Sequence, residues 1–226
     1  MFEYQLKEST RRRSIAIKVT DNGIIVYAPK GLEKKWLHEW LMSKHSWVLA
    51  QQKKVPAVPV VQTPWHSQTL LVFGETYACF FGPEYPSKLC HSNRIVHVCV
   101  INPDDTKACR AALLSLLRIE LESYVMGVLP VLAEKMDAQV SQVKFREYKS
   151  RWGSCTSNRA LAFNTLLIGA KPSYIDYVII HELAHCHVLA HNPEFWQLVF
   201  KYYGEYKDVV KWFREKGATL FITKEV

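Results

Sequence analysis

The chain has no CxxC pair. Its six cysteines, at 79, 90, 99, 109, 155 and 186, are irregularly spaced, which argues against a zinc ribbon or a dense disulfide framework. It also lacks a long apolar run. The greasiest stretch, Ala111 to Met136, is broken by Arg118, Glu120, Glu122, Pro130 and Glu134, too many polar interruptions for a membrane span. The N-terminal MFEYQLKESTRRR has neither an apolar segment nor a small-residue cleavage site, so no signal peptide is expected. These absences make a cytoplasmic chain with reduced thiols, and no membrane partner, the expectation. Internal repeats and low-complexity tracts are lacking too. Carboxylates are outnumbered, 21 Asp and Glu facing 29 Lys and Arg. The resulting net charge of +8 gathers at Arg11–Arg13, Lys30/Lys34/Lys35, Lys53–Lys54 and Lys144–Arg151. Such an excess attracts nucleic acid, nucleotides or acidic surfaces, and equally describes a solvated basic surface.

What is present reads as a globular α+β chain. At 226 residues, 49% of them apolar, there is enough for one large domain or two small ones with a real core. SIAIKV (14–19) and IIVYA (24–28) read as strands, and Asn22-Gly23 between them is a hairpin signal because both residues tolerate positive φ. Leu32 to Gln52 carries Trp36, Leu37, Trp40, Leu41, Trp47 and Val48 at helical spacing. VPAVPVVQTP (55–64) reads as an extended connector. TLLVF (69–73), TYACFF (76–81) and RIVHVCV (94–100) are further strands, the first two hinged at Gly74-Glu75. Asp104 or Asp105 can cap a long helix through Met136, which Pro130 should kink or split. VKFREY (143–148) and LAFNTLL (161–167) read as strands around a GSCTSNR turn. Ser173 to Asp176 has the form of a capping box opening a helix through roughly Ala190. The expected division is a β-rich region with one amphipathic helix over residues 1–102, then a helix-rich domain over residues 103–226.

HELAHCHVLAH, from His181 to His191, holds four of the nine histidines. On a helix, His181 and His185 lie about 40° apart on one face and about 6 Å apart along it, able to share one metal ion, with Glu182 beside them to accept a proton from water. A catalytic zinc usually takes a third protein ligand and keeps one position open. His187 points about 120° away from His181 and is set aside. His191 would lie about 15 Å along an unbroken helix, and can return only if the helix ends after His185. Asn192-Pro193 offers that ending, with Asn192 capping a new helix that begins at Pro193. Glu205 is the rival third ligand, twenty residues past His185 but in a Tyr203-Gly204-Glu205-Tyr206 turn.

SRWGSC (150–155), NTLLIGAKPSYIDYVIIHELAH (164–185) and HNPEFW (191–196) resemble the YgjP-like metallopeptidase-domain family of metal-dependent hydrolases. The histidine spacing is also similar to that of WLM and SprT-like zincins. The N-terminal order, a basic strand, a hairpin, a Pro-Lys-Gly turn and a Trp-rich helix, fits the same pattern, as does the Phe-Gly-Glu hairpin. The resemblance implies a zincin-like fold in the C-terminal domain, with an HExxH active-site helix. It implies Zn²⁺ on His181, His185 and His191, and Glu182 as catalytic base. Metzincins share the ligand spacing but place glycine after the second histidine, where this chain has Val188, so the turn must be made differently. The family's Arg-Trp-Gly-Ser-Cys segment maps onto Arg151–Cys155. There Gly153 permits a turn or a close backbone approach, Ser154 offers a donor, and Arg151 suits an oxyanion or an anionic substrate group. Trp152 and Cys155 read as packing residues. Asn164 is a further candidate for orienting a ligand or the substrate backbone.

Three activities stay open at this level. The first is a zinc peptidase, with LAFNTLL lining the cleft and pairing with an extended peptide. The second is a nucleoside triphosphate pyrophosphatase, with Arg146, Lys149 and Arg151 meeting the phosphates. The third is a DNA-associated protease or binding module, for which the basic balance provides the partner's counter-charge.

Overall fold

Residues 2–20, 23–52 and 61–223 are described by the computed structural model, in which helices and strands mix within two units, Met1–Pro59 and Val60–Val226. Residues 21–22 of the expected hairpin turn and 53–60 of the expected connector lie outside the described residues.

In the first unit, β1 (Gln5–Ser9), β2 (Ala16–Thr20) and β3 (Gly23–Pro29) form a sheet in the order β1-β3-β2. β1 runs parallel to the central strand and β2 antiparallel to it. Period-2 alternation in β3 buries Ile24 and Val26 against Leu37, Leu41 and Val48. Those three come from α1 (Lys34–Ser43) and α2 (His45–Gln52). The single helix expected over 32–52 is thus two, separated at Lys44. There the backbone reaches φ −98°, ψ 1° and its N–H turns back to the Leu41 carbonyl at 3.1 Å.

The second unit opens with a short helix, α3 (Pro64–Ser67), and β4 (Thr69–Val72), β5 (Glu75–Gly82), β6 (Lys88–Cys90) and β7 (Ile95–Cys99), paired in the order β4-β5-β7-β6. Across this sheet lies α4 (Thr106–Met136), whose N-cap Asp105 accepts from the amides of Lys107 and Ala108 at 3.1 and 3.0 Å. Leu113, Leu117, Leu121, Val125 and Leu129 repeat every fourth residue along it and are buried. Residues 102 and 103, where the sequence divides the chain, both fall in this unit, because the sheet before them and the helix after them bury one common core. Pro130 does not split α4. The carbonyl it deprives of a partner belongs to Met126, on the solvent side, where water can serve it.

β8 (Gln142–Arg146), β9 (Gly153–Cys155) and β10 (Ala160–Asn164) make a third sheet, ordered β8-β10-β9. The expected GSCTSNR turn therefore contains a short strand. β10 is flanked on both sides, parallel by β8 and antiparallel by β9. This corrects the expectation that LAFNTLL offers a free edge; the edges belong to β8 and β9. A 3-10 turn over Thr165–Gly169 leads into α5 (Pro172–Ala184). Lys171 is the N-cap of α5 and Pro172 its first residue. The Ser173–Asp176 capping box does not form, because proline starts the helix one residue earlier and the Asp176 carboxylate accepts from the Tyr124 hydroxyl at 2.8 Å. α6 (Pro193–Tyr203) and α7 (Lys207–Lys216) complete the unit. Among the described residues no helix is long and apolar enough to cross a membrane.

The Tyr124–Asp176 bond ties α4 to α5, and burial pushes the Asp176 carboxyl above its ordinary range while the tyrosine donor pulls it back. Removing that donor with Tyr124→Phe should lower unfolding free energy by about 1–3 kcal/mol in urea titration. A loss near zero would show that the bond does not hold the helices together.

Candidate metal centre

α5 carries His181 and Glu182 in its last turn and ends on His185 as C-cap. The end is a tightening: the amides of Cys186 and His187 reach back three residues, to Leu183 and Ala184, at 3.0 and 3.1 Å. The chain then turns, and Asn192 caps α6 by accepting from the Phe195 amide at 2.9 Å, with Pro193 as first residue. This turn brings His191 back over the helix end. Its Nε2 lies 3.0 Å from Nε2 of His181 and 3.1 Å from Nε2 of His185. Among the described residues these three form the group able to hold a metal ion, their ligand atoms all within 4.8 Å of one another.

The remaining ring nitrogens decide which lone pairs face inward. Nδ1 of His185 lies 3.0 Å from the Val188 carbonyl, which can only accept, so Nδ1 carries the proton and Nε2 is free to ligate. At the position where metzincins have glycine, Val188 thus contributes its backbone. Nδ1 of His181 has the Tyr177 hydroxyl at 3.4 Å. Tyr177 is one turn before His181 on α5, an i, i+4 pair whose role the sequence pattern alone does not mark. Aromatic rings fix the planes: His185 stacks on Phe195 at 4.5 Å between centroids, and His191 on Trp196 at 5.6 Å. Burial pushes His181 down to about 3, with His185 and His191 adding to the effect, and burial lowers His185 as well. Neutral imidazoles are the form a metal requires.

Glu182 is 5% exposed, and its Oε2 has no hydrogen-bond partner among the described residues. Burial raises its carboxyl to about 8, against an opposing pull from Arg151. The side chain packs directly on Gly153 of β9. A Cβ there would meet Glu182 Cγ at 2.7 Å and Cδ at 2.8 Å, and clash with Oε1. Gly153 is therefore a close-approach glycine. A buried, unpartnered carboxylate beside three converging imidazoles is the donor set that suits a divalent ion and its water. The residues fit a metal.

A cavity of about 470 Å³ opens over this centre. Arg151 and Ser154 both line it, as does Cys155. Ser154 Oγ lies 3.1 Å from the Tyr148 hydroxyl, and the Arg151 guanidinium sits 5.6 Å from the centre of the same ring. Asn164 is not there. It is fully buried, its Nδ2 donating to the carbonyls of Tyr148 and Arg151 at 3.1 and 3.0 Å, its Oδ1 accepting from the Leu166 amide at 3.2 Å. With its amide committed to its own backbone, Asn164 cannot orient a substrate; it positions the loop that carries Arg151. Glu205 is exposed beyond α6, in a separate groove with Trp196 and Tyr206, and is not in the cluster. His187 is exposed. Cys155 faces Cys186 across 3.9 Å, and burial holds its thiol at about 12, which disarms it as a nucleophile.

A protein-family model described as YgjP-like, metallopeptidase domain, matches residues 13–216. The crystal structure of the metallopeptidase zymogen of Pyrococcus abyssi abylysin aligns over 44% of this chain and 99% of that one, at 19% identity and a TM-score of 0.39, a likeness too slight to argue from. No curated protein matches.

The metal-free centre has a pH signature. Glu182 holds its proton up to about 8 when folded and only to an ordinary 4.5 when unfolded. Its contribution to stability is therefore present below 4.5 and lost as pH rises through 8. In metal-free protein, Glu182→Gln should be near neutral at pH 5 and stabilising by on the order of a few kcal/mol at pH 9. Thermal melts at both values test this; an equal effect at the two would mean the carboxyl is not held protonated by burial.

Proposed function

The chain belongs to the YgjP-like metallopeptidase-domain family, and from that premise we propose that it is a zinc-dependent peptidase of zincin type. In this reading His181, His185 and His191 hold the ion and Glu182 is the general base. The observation that carries it is the convergence of three imidazole Nε2 atoms beside a buried carboxylate with one oxygen unpartnered.

Zinc, when bound, supplies Lewis-acid polarisation of the scissile carbonyl and acidifies water. The rest is done by the chain. Glu182 takes a proton from the attacking water and hands it to the leaving amine. Its elevated affinity for a proton suits that relay, and Gly153 leaves the room in which the side chain sits. Arg151 stands at the cavity wall to meet the oxyanion or a substrate carboxylate. Ser154 is a second donor there.

A peptide's backbone has a place as well. β9 is one edge of its sheet, and the residues that flank it bond toward β10, Asn164 N–H to the Trp152 carbonyl and Thr156 N–H to the Ala160 carbonyl. By alternation, the N–H and C=O groups of Gly153 and Cys155 face the open side. An extended peptide can pair there, with Val178, Leu189 and Phe213 forming apolar walls for its side chains. The nucleotide reading has less support. Of Arg146, Lys149 and Arg151, only Arg151 lines the cavity, leaving a triphosphate with a single guanidinium.

Zinc-loaded Glu182→Gln should keep wild-type metal stoichiometry and cleave unfolded casein at least about 100-fold more slowly. Undiminished proteolysis would refute the role of Glu182. If nucleoside triphosphate turnover falls instead, in the same screen, phosphoanhydride hydrolysis is the activity. Gly153→Ala, which displaces the Glu182 side chain, should cause a comparable loss with metal retained; full activity would show that the contact with Gly153 does not position the base.

A further inference from the structure

Charge is unevenly divided along the chain. Residues 1–59 hold eleven Lys and Arg against five Asp and Glu, so the small first unit carries most of the excess. Within it, the sheet covers one face with helices and leaves the other open. Lys7, Tyr27 and Ala16 stand opposite one another across β1, β3 and β2, and so do Gln5, Ile25 and Lys18. Residues directly opposite share a face, and this face is the reverse of the one that buries Ile24 and Val26.

The open face is basic at its margins and apolar at its centre. Lys7 and Lys18 are exposed on the two outer strands, about 12 Å apart from two strand spacings and a two-residue offset along the sheet. Arg12, from the loop between β1 and β2, lies over the Tyr27 ring at 4.8 Å, and its Nε donates to the Ser14 carbonyl at 3.3 Å. That cation is held in place rather than free to swing. On β2 the residue opposite Tyr27 is the small Ala16. Neither row contains a carboxylate among the described residues; Glu8 pairs with Ala28, on the helix-covered side.

The geometry points to this sheet face as a binding site for single-stranded nucleic acid. Phosphates meet Lys7, Lys18 and Arg12, and bases lie against Tyr27 and Ile25, the combination of charged track and flat aromatic that sequence-tolerant single-strand binding uses. A duplex presents only its phosphates and leaves the apolar centre unmatched. An anionic bilayer is met by an inserted amphipathic helix, and here the charge is on a sheet.

The test is fluorescence anisotropy of a labelled oligothymidine with the full-length chain, in parallel with a duplex of equal length. Binding should be tighter for the single strand and should weaken steeply as salt rises. The double variant Lys7→Glu/Lys18→Glu should weaken it about tenfold or more, whereas Lys34→Glu/Lys35→Glu, an equal charge change placed on α1, should stay within about threefold. Tyr27→Ala should weaken binding and Tyr27→Phe should retain it. All variants are first checked by circular dichroism; the two lysines are exposed strand positions, so their pair tests the site even if Tyr27→Ala does not fold. No binding at low salt, equal losses in both double variants, a preference for duplex, or indifference to Tyr27→Ala overturns the proposal.

Discussion

The convergence of the three histidines depends on where α5 stops. Carried through to Asn192 as one helix, the chain would leave His191 about 15 Å from His181. Instead the last turn tightens after His185, the chain folds back, and Asn192 opens α6. The same event settles a proton. Once the helix has ended, the Val188 carbonyl has no helical partner, and it accepts from Nδ1 of His185. Helix termination, imidazole tautomer and the arrival of the third histidine are thus one local solution, reached without a glycine.

The cavity wall formed by Arg151 and Trp152 is held by a residue that does not itself line the cavity. Asn164 ends β10, and three of its groups bind backbone: Nδ2 donates to the Tyr148 and Arg151 carbonyls, Oδ1 accepts from the Leu166 amide, and its own N–H meets the Trp152 carbonyl. That knot fixes the loop entering β9, and with it the Arg151 side chain and the glycine against which Glu182 packs. A buried Asn with its amide satisfied is worth keeping, because each group left unpaired there would cost about 1–3 kcal/mol.

Local pattern made much of this legible. The four-residue repeat of Leu113 to Leu129 gives α4 its buried stripe, and the Asn192-Pro193 pair signals a restart whose cap bond is local. What stayed hidden was non-local. No periodicity in LAFNTLL reveals that two other strands flank it, because strand order depends on residues far away in sequence. The polarity of Asn164 suggested an exposed role, and only its surroundings show that every group is spent inside. Backbone participants such as the Val188 carbonyl leave no mark on residue identity at all. Tyr177 stands at helical spacing from His181, yet that spacing alone does not mark its role.

The aromatic packing around the histidines bears on how a metal is acquired. His185 lies on Phe195, His191 on Trp196, and Trp196 in turn on Tyr206 at 4.9 Å. Rings wedged in this way have already surrendered their rotamer freedom to the fold, so a metal need not supply the ordering. In small zinc modules, by contrast, metal binding and folding are a single transition. If these three histidines hold the ion as proposed, loading would be a binding equilibrium on rings already packed, with occupancy following free metal concentration by mass action.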